Sequence, residues 1–243
     1  MNLFEPLNHE PAYRKVATAI ERKIVERTLR AGDALPAETA LAEQFGVNRS
    51  TVREALRELE THGLVGRQAG GKKLYVTRPK RERVSSGVSR ALAMNGVTFL
   101  ELWESMMAIE PAAASHAAER RTPEELDAID RLVASVAASR DGRTAVPLVV
   151  DFFSAVAHAS HNQVLVIAQD PLNRLLAPTL SRMIDKLPQA RARITNAQRH
   201  IAGAIRERNA GDAAEWMAKH IRDFKRGYEL AGIELEYRVT LGN

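Results

Sequence analysis

The stretch Asn48 to His62, with the sequence NRSTVREALRELETH, combines two different surfaces in one helical repeat. Its apolar residues recur with the i, i+3, i+4 and i+7 spacing of one face of an α-helix, and they are Val52, Ala55, Leu56 and Leu59. The opposite side is polar and includes Arg49, Ser50, Arg53 and Arg57. Asn48 is suited to be the N-cap, because its side-chain oxygen can accept a hydrogen bond from a backbone N–H that the helix leaves unpaired. The stretch predicts the recognition helix of a DNA-binding module.

The residues before this stretch predict the other helices of a helix-turn-helix. Residues 13–29 have a helical spacing of apolar side chains, and residues 37–45 form a second, shorter candidate. Gly46 supplies the tight turn between that second helix and Asn48. Two short helices joined by a few residues that include a glycine are typical of a helix-turn-helix.

A hairpin is predicted directly after the recognition helix, which Gly63 ends. Residues 64–67 and 74–77 are short strand candidates. The segment between them contains paired glycines and paired lysines. Its tip, with Gly70 and Lys72, can therefore lie along a phosphate backbone as the wing of a winged helix does.

The rest of the chain has no strand signal and predicts a bundle of roughly six or seven helices. Residues 78–89 are polar and small, which favours a linker. Thr122, Pro123 and Glu125 form a strong helix start, because threonine caps a helix, proline fits its first position and glutamate its third. Further helices are expected at 146–161, at 172–187, at 189–209 and from Asp212, where Glu215 repeats the capping spacing.

The fold class expected is mainly α, with an N-terminal winged helix-turn-helix and a C-terminal all-α bundle. We predict a DNA-binding domain at residues 1–78 and a linker with the first helix of the second domain at 79–96. An all-helical effector-binding and dimerisation domain follows at 97–233, and a C-terminal tail at 234–243.

The composition limits the class of protein. The chain has 243 residues, 45% hydrophobic and 27% charged, as expected for one large or two ordinary globular domains. It has no cysteine, which excludes disulfides, thiolate metal sites and thiol catalysis. The first residues lack the features of a signal peptide, and no apolar run approaches the length of a membrane span. We therefore expect a cytoplasmic protein with no membrane partner.

The net charge of +5 comes entirely from the first third of the chain. Residues 1–83 contain 16 Lys and Arg against 11 Asp and Glu, a difference of 5. Residues 84–243 contain 19 of each kind, a difference of 0. This asymmetry indicates a basic nucleic-acid module joined to an electrically balanced second domain.

A run of residues around the recognition helix resembles the GntR family of bacterial transcription regulators. The matching run is Gly32-x-x-Leu35-Pro36-x-Glu38-x-x-Leu41-Ala42-x-x-Phe45-Gly46-Val47-x-Arg49-x-Thr51-Val52-Arg53-Glu54-Ala55-Leu56-x-x-Leu59, with Gly63-Leu64-Val65 after it. The later helices resemble, more loosely, the FCD-type helical effector domain of the FadR subfamily. The matches there are Ile109-Glu110-Pro111-Ala112-Ala113-Ala114, Ala159-Ser160, Asn162, Ala204-Ile205, Gly211-Asp212 and His220.

The resemblance implies which residues contact double-stranded DNA. They are Thr39, Asn48, Arg49, Ser50, Thr51 and Arg53, with Gly70 and Lys72 at the wing tip. Arginine offers a fork to guanine O6 and N7, while short hydroxyls and amides hold phosphates. Thr39 departs from the family, where an arginine that reads DNA often follows Glu38, so the outer part of the recognised sequence is expected to differ. A homodimer on a palindromic operator is implied.

The resemblance also bears on the effector site, where many relatives hold a metal ion through one Asp and three His. The corresponding residues here are Val149, Phe153, Gln198 and His220, so only one ligand is in place. One ligand does not hold a divalent ion where soluble sites use three or four, and we predict no metal and no other cofactor. Met106 stands where some relatives pair an arginine with a ligand carboxylate, which favours an apolar or acyl-type effector. The predicted effector pocket is Met106, Glu110, Phe153, His158, Asn162, Gln198 and His220.

Together these features predict a ligand-responsive, homodimeric transcription regulator. It would repress from a palindromic operator and be released or reset by a small-molecule effector. Two alternatives stay open: a dimeric DNA-binding protein without an effector, and a metal-binding, enzyme-like helical domain. Asp151 and His158 have no nucleophile beside them, so no enzyme activity is expected.

Overall fold

The computed structural model describes residues 10–68, 71, 73–187 and 189–241. The chain divides into two compact units, Met1–Lys80 and Arg81–Asn243, and each has its own hydrophobic core. The fold is mainly α, with a winged helix-turn-helix in the first unit and a helical bundle in the second, as the sequence predicts. Among the described residues, no helix is both long and apolar enough to cross a membrane.

The described residues of the first unit form three helices and a two-stranded antiparallel sheet. They are α1 (Ala12–Val25), α2 (Glu38–Phe45), α3 (Arg49–His62), β1 (Val65–Arg67) and β2 (Leu74–Val76). The apolar face of α3 is fully buried against α1, whose Val16, Ala17 and Ile20 are also buried. The predicted stripe therefore builds the core of this unit, and it leaves the polar side of α3 exposed.

Local signals set the boundaries of α2 and α3. Gly46 ends α2 at a φ of 65°, in the left-handed region that glycine adopts without a steric penalty. Asn48 caps α3 by accepting a hydrogen bond from the Thr51 backbone N–H at 2.9 Å. Gly63 ends α3 at a φ of 74°, and the chain turns directly into β1. The turn of the helix-turn-helix is therefore fixed by residues within a short stretch of sequence.

The second unit contains seven helices within its described residues. They are α4 (Arg81–Met94), α5 (Phe99–Arg120), α6 (Pro123–Ala138), α7 (Gly142–Ala159), α8 (Gln163–Lys186), α9 (Ala190–Arg206) and α10 (Ala210–Leu230). The helix α10 packs along α5 and α9, while α7 packs between α6 and α8. A capping box at Thr122 and Glu125 starts α6, as predicted. The interior is lined by buried faces from α5 to α10.

The interpretation of residues 78–89 as a linker is wrong from Arg81 onward, because α4 begins there. Ser85 and Ser89 are buried on its inner side. Arg174 of α8 donates to the Ser85 Oγ at 2.9 Å, and the Ser89 Oγ lies 3.3 Å from the Pro171 carbonyl oxygen. The sequence predicts a first helix within residues 79–96, but small side chains and hydrogen bonds dock the beginning of α4, so no apolar stripe in the sequence marks where it starts.

The predicted C-terminal tail is also part of the packed unit over its described residues. The backbone N–H groups of Phe99 and Leu100 donate to the carbonyl oxygens of Tyr237 and Leu235, each at 2.9 Å. Val239 is buried in the core beside the start of α5. These contacts satisfy two backbone N–H groups that the first turn of a helix leaves free.

Three further helix starts in the second unit lie earlier than the sequence indicated, and α7 begins at Gly142 instead of residue 146. The helix α8 begins at Gln163 instead of residue 172, and it continues through Pro171 and Pro178. The helix α10 is capped by Asn209, whose side chain accepts from the Asp212 backbone N–H at 3.1 Å. Asp212 therefore lies in the first turn and is not the cap.

Candidate DNA-binding surface and effector site

The N-terminus of α3 presents a small, ordered polar surface. The Asn48 Oδ1 accepts hydrogen bonds from the Ser50 Oγ at 2.8 Å and from the Thr51 Oγ1 at 2.7 Å, besides the capping bond. Asn48, Ser50 and Arg49 are exposed. Hydroxyl groups and free N–H groups at the positive end of a helix dipole favour an anion such as a phosphate.

A groove lies between this end of α3, the start of α2 and the two strands, and three of its described side chains are cationic. We call it the basic groove, and its lining residues are Leu35, Pro36, Ala37, Glu38, Thr39, Arg49, Leu56, Arg67, Lys73 and Leu74. Arg67 is also paired with Glu60 of α3 at 3.5 Å. Arg49, Arg67 and Lys73 are exposed and come from three separate parts of the chain. Such a surface is suited to a polyanion.

Five of the predicted DNA contacts lie at or beside the basic groove. Thr39 and Arg49 line the basic groove, and Asn48, Ser50 and Thr51 lie at the end of α3 that borders it. Gly70 and Lys72 lie outside the described residues. The sequence analysis placed Lys73 among the paired lysines of the wing but did not assign Arg67 to the DNA-binding surface, although Arg67 is a basic residue at the end of a predicted strand.

Arg53 is held by a carboxylate of the preceding helix. Its Nη2 donates to the Glu38 Oε2 at 2.8 Å, and its Nε lies 3.2 Å from the same oxygen. The pKa of Glu38 is lowered, chiefly because Arg53 donates these hydrogen bonds to the ionised form. The side chain of Arg53 remains about half exposed. Its orientation therefore depends on Glu38, a residue that the sequence analysis did not assign to the site.

The interior of the second unit contains a buried polar chain that links α5, α7 and α8. The Gln169 Nε2 lies 2.9 Å and 2.8 Å from the two carboxylate oxygens of Glu110 and 2.9 Å from the Phe153 carbonyl oxygen. Glu110 is completely buried, and burial raises its pKa from an ordinary value of 4.5 to about 8. Phe153 stacks on His220 of α10, with 5.5 Å between the ring centres. Of the predicted pocket residues, the structure thus joins Phe153 with His220 and, through Gln169, with Glu110.

Gln198 and His220 are among the side chains with buried polar atoms that have no hydrogen-bond partner within the described part of the protein; the others are Glu58, Gln169, Asn173 and Tyr228. Gln198 of α9 is completely buried, and neither its amide nitrogen nor its amide oxygen makes a hydrogen bond. The Nε2 of His220 is also buried without a partner, and burial lowers the pKa of this histidine to about 3. Leaving a buried polar group unpaired costs about 1–3 kcal/mol, so we expect water or a polar group of a ligand to form hydrogen bonds with these atoms. Met106, another residue of the predicted effector pocket, is buried in the hydrophobic core.

A narrow cavity between α8, α9 and α10 is lined by His220. Including its open mouth it measures about 380 Å³, and its inner part, at about 20 Å³, has room for one water molecule. Met183, Ile194 and Phe224 contribute apolar walls. Arg193 also lines it, and its Nη2 is paired with the Asp223 Oδ1 at 2.7 Å. The sequence interpretation did not find this pair, because its members lie on two different helices.

The predictions for His158 and Asn162 require correction. His158 is exposed, its Nδ1 lies 2.6 Å from the Ser154 carbonyl oxygen, and its Nε2 lies 2.8 Å from the Nη1 of Arg81. Asn162 is the N-cap of α8, where its side chain accepts from the Val164 and Leu165 backbone N–H groups. The resemblance matched Asn162 by its position in the sequence, and His158 was included because it lies near the family's ligand positions. Local hydrogen bonds instead determine where both side chains lie.

Comparison with known proteins assigns both units to described families. Residues 12–72 match the bacterial regulatory proteins of the gntR family, and residues 101–223 match the FCD domain, which alone spans half of the chain. This chain belongs to the GntR family. It is a bacterial GntR-family transcription regulator with an FCD effector-binding domain, and its relatives are named as regulators and not as enzymes.

Relatives of known name match this chain over 63% to 93% of its length. The Glc operon transcriptional activator of Escherichia coli strain K12 is 28% identical over 235 residues, which are 93% of this chain and 91% of that protein. The HTH-type transcriptional regulator LutR of Bacillus subtilis is 35% identical over 153 residues, 63% of this chain and 69% of LutR. The solved structure of Streptococcus agalactiae GntR is 26% identical with a TM-score of 0.62, covering 88% of this chain and 99% of that one.

The metal site of many GntR relatives does not fit the residues around His220. In the described part of the chain, no group of three or more His, Cys, Asp or Glu side chains converges to hold a metal ion. Aromatic rings of Phe153 and Phe224 surround His220 instead. Asp151 is exposed, and His200 stacks on Trp216 with 3.9 Å between the ring centres.

Proposed function

We propose that this GntR-family protein is a repressor that binds a palindromic operator as a homodimer and responds to a small-molecule effector. The observation that carries the DNA-binding part is the basic groove, in which Arg49, Arg67 and Lys73 converge beside the exposed end of α3. Arg49 and Arg53 read bases from the major groove, while the wing residues and the short hydroxyls hold phosphates.

A homodimer follows from the symmetry of this kind of recognition. Helix-turn-helix regulators place two recognition helices about one DNA turn apart, so that a two-fold protein meets a palindromic site. A dimer bound over a promoter represses by excluding polymerase. The Escherichia coli relative is named an activator. Transcription in vitro from a promoter that carries the operator distinguishes repression from activation.

The test of DNA recognition compares two arginine variants of the full-length protein. The duplex is selected by the wild-type protein from a library of random sequences, and binding is followed by fluorescence anisotropy. Arg53→Ala is expected to weaken binding to this duplex by about 1–3 kcal/mol per half-site, because it removes a base contact. Arg22→Ala removes the same charge from the exposed side of α1 and serves as the control. Wild-type affinity of the Arg53 variant for the selected duplex would refute the assignment of α3 as the recognition helix.

The same duplex tests the oligomeric state. Sedimentation of the complex is expected to give two protein chains on each selected duplex, and the selected sequences are expected to be inverted repeats. One chain per duplex, or a selected sequence without two-fold symmetry, contradicts the proposed dimer.

For the effector, the support comes from the unpaired atoms of Gln198 and His220 and from the apolar cavity that His220 lines. A ligand with an apolar body and at least one hydrogen-bonding group suits this lining, which agrees with an acyl-type effector. The inner cavity is too small for such a molecule. An effector therefore has to bind better to a more open arrangement, and this difference in affinity is what shifts the regulator between two states.

In this proposal the helical domain holds no divalent metal, and it senses a small molecule. A thermal-shift screen of the full-length protein against metabolites, acyl-CoA thioesters included, is expected to find a ligand that also changes affinity for the selected duplex. If no metabolite stabilises the protein, the result would instead favour the alternative in which the helical domain serves dimerisation alone. Tight binding of Zn²⁺ or Ni²⁺ in isothermal titration would contradict the metal-free site.

A further inference from the structure

Glu38 is an acidic residue in a groove that otherwise carries positive charge. It is the one carboxylate among the described residues that line the basic groove, together with Arg49, Arg67 and Lys73. A carboxylate repels the phosphates of DNA, so on charge alone its presence there is unfavourable. Its position at the first residue of α2 puts it directly before Thr39 and opposite Arg53 of α3.

The contact between Glu38 and Arg53 uses one edge of the guanidinium group and leaves another edge free. The Nε lies 3.4 Å from the Oε1 and 3.2 Å from the Oε2, and the Nη2 lies 2.8 Å from the Oε2. Arginine has five N–H donors in a planar fork. The side edge formed by Nε and Nη2 therefore points to Glu38, and the end edge formed by Nη1 and the second Nη2 hydrogen stays available.

That end edge has the geometry that recognises guanine. Two parallel N–H donors match the O6 and N7 acceptors that guanine presents in the major groove. A free arginine side chain has many rotamers, and ordering it on binding opposes association. A carboxylate that already fixes the plane of the guanidinium group reduces this loss, and it selects the base that the fork can meet.

We propose that Glu38 is a positioning residue for base recognition, which holds Arg53 so that its end-on fork faces guanine in the operator. This inference rests on the proposed function, in which Arg53 reads a base. Glu38 touches no base itself. It converts a flexible cation, which any phosphate would attract, into an oriented donor pair that discriminates among base pairs.

A purely structural role for Glu38 makes a different prediction. As the acidic first residue of α2, it also interacts favourably with the positive end of the helix dipole. A residue with that role alone changes thermal stability and overall affinity, but it leaves the preference among base pairs as it was. Base discrimination is therefore the measurement that separates the two roles.

The experiment measures binding of full-length variants to the selected duplex, to versions with each base pair replaced in turn, and to an unrelated duplex. In Glu38→Gln, the discrimination at one guanine in each half-site is expected to fall by about tenfold. Binding to the unrelated duplex is expected to stay equal or become tighter, because a negative charge is removed. Glu43→Gln is the matched control, since Glu43 lies on the same helix with an exposed side chain. It should keep the wild-type discrimination.

Two further variants complete the design. Glu38→Asp keeps the charge at the start of α2 but withdraws the carboxylate from Arg53, so it should lose discrimination while retaining the wild-type melting temperature. It also replaces Glu38→Gln if that variant does not fold. In an Arg53→Ala background, Glu38→Gln should cause no additional loss of discrimination, because the fork that it positions is gone.

The outcomes separate this inference from the proposed function. If Arg53→Ala loses discrimination while Glu38→Gln and Glu38→Asp keep the wild-type pattern, the positioning role is overturned and base reading by Arg53 stands. If Glu38→Gln still lowers discrimination in the Arg53→Ala background, Glu38 acts by another route and the inference fails. If Arg53→Ala itself keeps the wild-type pattern, base reading by Arg53 fails together with the inference.

Discussion

Two ionisable residues in the helical unit, Glu110 and His220, are buried without an opposite charge as a bonded partner. Burial disfavours the charged form of each, which raises the pKa of Glu110 to about 8 and lowers the pKa of His220 to about 3. Both side chains are therefore uncharged at neutral pH. Their opposite shifts have opposite consequences for stability.

The two contributions act over different ranges of pH. The folded-state pKa of Glu110 is raised above its unfolded value, so its contribution to stability is complete below about pH 4.5 and is lost as the pH rises to about 8. The folded-state pKa of His220 is lowered, so its contribution is complete above about pH 6.5 and is lost as the pH falls to about 3. Above about pH 6.5 the contribution of His220 no longer changes, and only the contribution of Glu110 to the unfolding free energy still falls as the pH rises.

We predict that Glu110→Gln removes the decrease in stability that the wild-type protein undergoes as the pH rises to about 8. The glutamine keeps the size of the side chain but does not ionise. The unfolding free energy of the variant relative to wild type is expected to rise between about pH 5 and about pH 8, by at most about 1.4 kcal/mol per pH unit. Urea denaturation of the full chain at several pH values measures the difference. Glu104→Gln, on the exposed side of the same helix, should give a curve parallel to wild type. A parallel curve for Glu110→Gln would show that the buried carboxyl titrates normally.

At the scale of the elements, close packing of α8 on α10 depends on the absence of a side chain at Gly227. A Cβ built there would overlap the Sδ of Met183, whose side chain is buried and also lines the cavity beside His220. Gly203 of α9 is another glycine inside a helix, yet a Cβ there meets nothing within 4 Å. The two glycines therefore have different roles, although both weaken the intrinsic stability of their helices.

This difference predicts opposite effects of the same substitution. Gly227→Ala is expected to destabilise the helical unit by about 1–3 kcal/mol, because Met183 has to leave its position in a packed core. Gly203→Ala is expected to stabilise it by about 0.5–1 kcal/mol, because alanine restricts the unfolded chain and favours helix. Midpoints of urea unfolding at an unchanged slope give both values. Stabilisation by Gly227→Ala would mean that Met183 moves aside freely.

At the scale of the whole molecule, α4 is the element that directly follows the connection to the DNA-binding unit. Its first residue, Arg81, is paired with Asp170 of α8 at 3.1 Å and contacts His158 of α7. Ser85 and Ser89 attach the following turns to α8. Asp170 is adjacent to Gln169, which contacts Glu110 inside the bundle. A displacement of α8 on effector binding would therefore reach the first turn of α4 directly.

We predict that Asp170→Asn loosens the first turn of α4 and leaves the later turns docked. The pair is partly exposed and is worth about 0.2–1 kcal/mol, so amide exchange in that turn should rise by at most about fivefold. Hydrogen–deuterium exchange read by mass spectrometry resolves the segment. Glu215→Gln, which breaks the exposed pair with Lys219 on α10, should leave exchange in α4 unchanged. Loss of protection along all of α4 would contradict the separate anchoring by the two serines.

The sequence by itself determined the DNA-binding unit in most of its details. Its signals are local: the apolar spacing of α3, the Asn48 cap, and the turns at Gly46 and Gly63 each depend on residues within a few positions of one another. The same holds for the cap at Thr122. Family resemblance then identified the regulator, because its motif keeps these local signals in one register.

Only the tertiary structure decided which polar groups meet and which are buried. The Glu38 contact with Arg53 joins residues on two helices, and Arg67 reaches the same groove from a strand. Burial of Glu110 and Gln198 depends on the way α5, α8 and α9 pack, and the sequence did not show the start of α4 because hydrogen bonds to α8 hold that part of the helix. Contacts between distant segments follow from packing many weak interactions at once, and no single stretch of sequence encodes them.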